Sequence, residues 1–139
     1  MKTAKCEMSC GKMKRGIRIV TGGAFQGKKN YAQLCYPGLK WSSGADCSFE
    51  DVQNMGGCRW VSSFYMALAE IRKNKRRTVR MISEERDLVI VCDEIGCGLV
   101  PVDAFEREYR EAVGRIMTGL TKKAVRADRV ICGIGYVIK

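Results

Sequence analysis

Residues 20–32, VTGGAFQGKKNYA, contain the glycines and the lysine of a phosphate-binding loop. Such a loop reads G-x-x-x-x-G-K-[ST]: its backbone N–H groups surround the phosphates, the lysine reaches their outer oxygens, and the hydroxyl is a ligand of Mg²⁺. Here Gly22, Gly27 and Lys28 match the pattern, and Lys29 takes the place of the hydroxyl-bearing residue. A protonated amine has no lone pair for a metal. The spacing therefore predicts a phosphate site and leaves the part played by Mg²⁺ open.

The same glycines have a second interpretation, because a tight turn between a strand and a helix also needs glycine φ angles. The flanking sequence favours the phosphate site. The apolar run GIRIV at residues 16–20 predicts a strand, and residues 28–35 suit a short helix that ends before Pro37. The N-terminus of that helix would add its partial positive charge to the site.

A second candidate for chemistry is the acidic pair Asp93 and Glu94, which follows the apolar run DLVIVC at residues 87–92. A near-continuous apolar run is typical of a buried parallel strand. A carboxylate at the carboxyl end of such a strand can serve Mg²⁺ or orient a water. The alternative is a polar loop that caps a buried strand, and this stretch alone does not decide between the two.

The remaining periodic segments predict the elements that position these motifs. Apolar residues at helical spacing predict one helix from Trp60 and a longer one after Asp103, which forms an N-cap pair with Glu106. The long helix would turn one apolar face inward, formed by Phe105, Tyr109, Val113, Ile116 and Leu120. Residues 129–139, RVICGIGYVIK, read as a last strand.

This order of strands and helices predicts an α/β fold in which a mostly parallel sheet lies between helix layers. At 139 residues the chain suits one domain. We expect that domain to occupy residues 16–139, and residues 1–15 to form a basic, mobile N-terminal arm.

Charge and composition limit the classes of function. The net charge of +10 favours anionic partners, such as phosphorylated small molecules, nucleic acid or acidic membrane surfaces. The chain contains no histidine. Ser-His-Asp and Cys-His catalysis are therefore excluded, as is every histidine-linked intermediate.

The eight cysteines are spread through apolar segments rather than grouped in loops, at positions 6, 10, 35, 47, 58, 92, 97 and 132. This distribution favours free thiols in a reducing, cytoplasmic setting. Cys6 and Cys10 are too few to form a metal site, so no protein-held metal is predicted. No apolar run approaches the ~20 residues that a membrane span needs, so we expect no membrane partner.

Three motifs in sequence order resemble those of one family. The loop at residues 22–29 is similar to G-G-A-R-S-G-K-S, and DEIGCGLVP at residues 93–101 is similar to N-E-V-G-x-G-I-V-P. The helix FEREYREAVGRI and the final GIGYVIK follow at the same distances as in that family. Together they resemble the bifunctional adenosylcobinamide kinase/adenosylcobinamide-phosphate guanylyltransferase family of cobalamin biosynthesis. The resemblance covers residues 16–32 and 87–139.

The resemblance implies a RecA-like P-loop fold, ATP or GTP as the nucleotide, a corrinoid substrate and a homo-oligomer. It implies catalytic roles for Lys28 and Glu94. It also implies nucleotide contacts for the residues that match the loop and helix motifs: Gly22, Gly23, Ala24, Gly27, Lys28, Lys29, Arg110 and Arg115. For the two arginines the alternatives are a subunit contact, or ordinary i,i+4 ion pairs on an exposed helix face.

The chain also departs from that family. Members that transfer guanylate do so through a histidine, which this chain lacks, so that mechanism is excluded here. Phe25 and Gln26 replace the loop arginine and serine, Asp93 replaces the asparagine of the second motif, and Met117 replaces the asparagine of the helix motif. Lys29 and these changes leave a kinase-like phosphotransferase as the enzymatic hypothesis.

Three functions follow in order of preference. The first is a nucleotide-binding protein that resembles the cobinamide enzymes, and the second is a non-catalytic phosphate-binding or assembly protein with the same fold. The third is nucleic-acid binding through RKNKRRTVR at residues 72–80, where six of nine residues are basic. The third is the least favoured, because no aromatic residues interrupt the basic run to stack on bases.

Overall fold

The described part of the chain, residues 15–43, 59–62, 87–96 and 98–139 of a computed structural model, contains one six-stranded sheet with a helix on each face. The strands and helices in chain order are β1 (Ile17–Gly22), α1 (Lys28–Cys35), β2 (Lys40–Ser43), β3 (Arg59–Ser62), β4 (Leu88–Asp93), α2 (Ala104–Lys123), β5 (Arg126–Ile131) and β6 (Ile134–Val137).

Strand β1, which leads into the glycine-rich loop, lies near the centre of the sheet. The strand order is β2-β3-β4-β1-β5-β6, and every neighbouring pair is parallel except the antiparallel pair of β5 and β6. The predicted α/β fold with a mostly parallel sheet is therefore confirmed. In the register of β1 and β4, Gly22 lies beside Asp93. The two sequence motifs thus meet at one edge of the sheet.

Alternating residues of the central strands bury apolar side chains on opposite faces. Ile19 and Ile90 pack against α2, whereas Val20 and Val91 pack against α1. Because helices cover both faces of β4, its side chains are buried in both directions, which explains the uninterrupted apolar run in the sequence.

Helix α2 begins and turns as its sequence predicts. Asp103 is its N-cap, and a carboxylate oxygen of Asp103 accepts a hydrogen bond from the Phe105 N–H at 3.1 Å. Val113, Ile116 and Leu120 are buried on its inner face. Phe105 is an exception, because it is more than half exposed at the start of the helix.

Two sequence predictions about elements are wrong. Trp60 lies in β3, where the backbone pairs with β2 and β4, rather than at the start of a helix. The run at residues 129–139 is not one strand, because the chain reverses at Cys132 and Gly133 and returns as β6. Both turn residues have positive φ, 51° and 77°, which is the requirement of a tight two-residue hairpin turn. The rest of the helix predicted from Trp60, residues 1–14 of the predicted arm and the basic run 72–80 lie outside the described residues.

A buried charged pair supports the α1 face of the sheet. Asp128 is fully buried, and Arg126 Nε donates to both of its carboxylate oxygens, at 3.1 and 3.0 Å. Burial raises the pKa of Asp128, and the hydrogen bond and charge of Arg126 oppose that shift. Burial, assisted by the charge of Asp128, raises the pKa of Tyr36 to about 12.

Two predictions about the chemistry of the whole chain can be compared with the described residues. The cysteines within these ranges, Cys35, Cys92 and Cys132, are free thiols. Neither helix of the described chain combines the length and the apolar character that crossing a membrane would require.

We predict that Gly135→Ala destabilises the fold. Gly135 is buried in β6, and a Cβ built there would overlap the ring of Tyr31 on α1. Because a backbone or an aromatic ring must shift to admit the methyl group, we expect a loss of about 1–3 kcal/mol in the free energy of unfolding, measured in urea.

The matched control for this experiment is Gly114→Ala in α2, where an added Cβ meets no atom within 4 Å. That change should stabilise the helix by up to about 1 kcal/mol. A Gly135→Ala protein as stable as the wild type would show that the Tyr31 ring does not pack against β6 in this way.

Candidate functional site

The glycine-rich loop connects the end of β1 to the start of α1. Gly22 must be glycine here, because a Cβ at this position would collide with the Val130 carbonyl oxygen of β5. Gly27 is the N-cap of α1 and has φ 82°, a left-handed conformation that favours glycine. Between them lie Gly23 and Ala24, both within the turn. Two of the predicted glycines are thus also required by the backbone path, as the alternative interpretation of the motif expects.

Lys28 is the best-placed candidate residue in this loop. It is the first residue of α1 and is only 7% exposed. Its Nζ donates to the Gly23 carbonyl oxygen at 2.5 Å and forms an ion pair with Asp93 Oδ1 at 2.5 Å. A buried ammonium needs such partners, since an unpaired charge out of water is costly. The cation is therefore held over the loop, at the carboxyl edge of β1 and β4.

The neighbouring lysine occupies a different environment. Lys29 is exposed on α1, whereas Lys28 is buried. Successive residues of a helix point about 100° apart, so the two ammonium groups leave the loop in different directions. The structure thus assigns the two cations different surroundings, one paired within the site and one exposed to solvent.

The acidic pair at the end of β4 is divided between two cations. Asp93 contacts Lys28, as described above. Glu94 forms a bidentate contact with Arg129 of β5, with Arg129 Nε at 2.8 Å from one carboxylate oxygen and Nη2 at 2.9 Å from the other. The Glu94 N–H also donates to the Gly22 carbonyl oxygen at 2.9 Å, which ties the two motifs together through the backbone.

Sequence analysis missed Arg129, and it also missed the ion pair of Asp93 with Lys28. For Arg129 the sequence carried no usable signal, because its contact with Glu94 joins positions 35 residues apart and depends on the order of β4, β1 and β5. For Asp93 the signal was its place at the end of a strand beside β1, which suggested a metal or water ligand rather than a partner for the lysine.

A cavity of about 270 Å³ lies behind the acidic pair, on the α2 side of the sheet. Its polar lining comes from Thr21, Asp93, Glu94 and Arg110. A larger cavity of about 620 Å³ shares Thr21 and Met117 with it and extends along α2 towards the C-terminus. The carboxyl edge of the sheet thus offers enclosed space next to the loop.

The two arginines of the helix motif have different surroundings. Arg110 lines the smaller cavity, and its guanidinium donates to the Leu99 carbonyl oxygen at 2.8 Å. Arg115 forms an i,i+4 ion pair with Glu111 on the exposed surface of α2. The structure therefore brings Arg110 to the edge of the candidate site, and it places Arg115 where the surface-pair alternative expects it.

The described residues do not offer a ready site for Mg²⁺. Both carboxylates at the end of β4 are paired with cations, and the position that would supply a hydroxyl ligand holds Lys29. Within the described ranges, no group of three or more acidic or cysteine side chains is arranged to hold a metal ion. The loop is thus better suited to an anion than to a divalent cation.

Comparison with known proteins adds a family to this geometry. A family model described as cobinamide kinase / cobinamide phosphate guanyltransferase matches residues 56–138, more than half of the chain. The match includes β4 with its acidic pair, α2 and the β5–β6 hairpin, and it begins after the glycine-rich loop. No curated protein matches the chain. The extent of the family match nevertheless decides the membership: the chain belongs to the cobinamide kinase / cobinamide phosphate guanyltransferase family.

Proposed function

We propose that this protein binds the phosphates of ATP or GTP at the loop of residues 22–28, with Lys28 as the main cationic contact. The observation that carries the proposal is the position of Lys28 Nζ, which spans the loop from the Gly23 carbonyl to Asp93 at the shared edge of β1 and β4. Family membership supports a nucleotide ligand and a place in cobalamin biosynthesis.

Binding requires an exchange of partners at Lys28. In the structure its ammonium contacts the Asp93 carboxylate, and an incoming phosphate oxygen would take over that charge-assisted contact. The N-terminus of α1 contributes its partial positive charge at the same point, since Lys28 is the first helical residue. The loop thus combines a cation with backbone donors.

The same geometry argues against strong magnesium dependence. An ion beside the phosphates would need a carboxylate or a hydroxyl, and here Asp93, Glu94 and Lys29 offer two cation-bound carboxylates and an ammonium. Like charges a few ångströms apart repel, so Lys29 adds to the barrier. We therefore expect phosphate binding that depends little on Mg²⁺.

A second candidate is a protein that binds nucleotide without turnover. The bidentate pair of Glu94 and Arg129 supports it, because a carboxylate fixed by two hydrogen bonds to a guanidinium is a poor general base or metal ligand. The first candidate instead retains kinase-like phosphoryl transfer to a corrinoid. Release or transfer of the terminal phosphate, followed with labelled ATP and GTP and adenosylcobinamide as the acceptor, distinguishes the two.

We predict that Lys28→Ala weakens binding of ATP and GTP, measured by isothermal titration calorimetry without Mg²⁺. The loss should be about 1.5–3 kcal/mol, the range of a hydrogen bond to a charged group. The matched control is Lys40→Ala in β2, an exposed lysine whose removal changes the net charge equally. Equal losses in the two variants would mean that general charge, rather than the loop lysine, attracts the nucleotide.

We predict that Lys29→Ser makes nucleotide binding dependent on Mg²⁺, whereas the wild type binds almost equally with and without it. The serine would supply the missing oxygen ligand and remove a competing cation. Titrations with ATP and GTP, each with and without Mg²⁺, give the comparison.

Lys29→Ala is the control for that experiment, because it removes the charge and supplies no oxygen. If the wild type already binds much more tightly with Mg²⁺, and neither variant alters the difference, then the metal is held by other residues. In that case the loop is a working variant of the motif.

A further inference from the structure

Gln26 connects the glycine-rich loop to the turn of the β5–β6 hairpin. Its side-chain Oε1 accepts a hydrogen bond from the Cys132 N–H at 2.6 Å, across 106 positions of sequence. Its backbone carbonyl accepts a second one from the Gly133 N–H at 2.9 Å. One loop residue therefore satisfies both backbone donors of the turn.

The loop and the turn are also in close backbone contact. A Cβ at Gly27 would lie 3.3 Å from the Gly133 Cα, so there is little room between the two segments. Within the described residues, the non-glycine positions with positive φ are Phe25 at 56° and Cys132 at 51°. One precedes Gln26 and the other donates to it. Such conformations cost on the order of 1 kcal/mol or more and persist where neighbouring contacts hold them.

We propose that Gln26 is a positioning residue of the phosphate site, and this inference rests on the proposed function. By bonding to both N–H groups of the hairpin turn, it fixes residues 25–27 in one conformation before the nucleotide arrives. A loop that is already ordered loses less conformational entropy on binding, so its affinity is higher. The residue departs from the loop serine of the resembled family, and its length allows it to reach the turn.

Gln26→Met tests the proposal, because methionine is similar in length but removes the strong acceptor. Affinity for ATP and GTP, measured separately by calorimetry, should fall by about fivefold, the factor that one neutral hydrogen bond is typically worth. Hydrogen exchange of the Cys132 amide should become faster in Gln26→Met, whereas Gln26→Glu retains an acceptor oxygen and should keep it slow.

A second measurement separates positioning from a merely structural role. Coupling between two equilibria is reciprocal, so a nucleotide that prefers the anchored loop must also strengthen the anchor. Saturating nucleotide should therefore slow Cys132 amide exchange in the wild type by about the same fivefold factor. This measurement also decides the question alone if Gln26→Met does not fold in a urea unfolding control.

The contradicting outcomes differ from those of the proposed function. If the wild type binds nucleotide, Lys28→Ala weakens it and Gln26→Met does not, then the loop is held without Gln26 and this inference is wrong while the proposed function stands. Cys132 exchange that is insensitive to bound nucleotide would reduce Gln26 to a structural contact. A wild type that binds neither ATP nor GTP would overturn both proposals.

Discussion

A buried ammonium that must be neutralised determines how the candidate site is built. Lys28 is almost excluded from solvent at the start of α1, so its charge needs partners within reach. The parallel register of β1 and β4 supplies one by placing Asp93 beside Gly22, and the loop supplies the other through the Gly23 carbonyl. A shift of this register would separate the lysine from its counter-ion, because successive strand residues face opposite sides of the sheet. The strand order, the loop and the ion pair are therefore one constraint.

The same ion pair explains how the chain can bind phosphate yet be poorly equipped for magnesium chemistry. A carboxylate that neutralises the lysine in the free protein competes with the nucleotide for it, and the other carboxylate is paired with Arg129. Asp93 and Lys29 both stand at positions where the resembled family has uncharged polar residues. Each adds a charge close to the phosphates, one repulsive to the ligand and one repulsive to a metal ion. Family membership describes the ancestry of the site, and these local charges describe its chemistry.

Sequence periodicity could predict the elements whose burial is one-sided or complete. The apolar runs gave β1 and β4, and the Asp103 cap with its heptad-like spacing gave α2. Trp60 was assigned to a helix because the i,i+4 spacing of apolar residues looks the same until strand pairing selects the extended form. The hairpin was missed because Cys132 is an unusual residue for a positive φ. The pairs Glu94–Arg129 and Gln26–Cys132 depend on the strand order, so spacing along the chain could not show them.

The most direct test of this account is a double-mutant cycle between Lys28 and Asp93, with Mg²⁺-free affinity for ATP and GTP as the readout. Asp93→Asn keeps the shape of the side chain and removes the competing charge. It should tighten binding about fivefold to tenfold, the order of a partly exposed ion pair, and most of that gain should disappear when Lys28 is alanine. An Asp93→Asn protein that binds no more tightly, or that gains equally with and without Lys28, would contradict the claim that the nucleotide and Asp93 compete for the same ammonium.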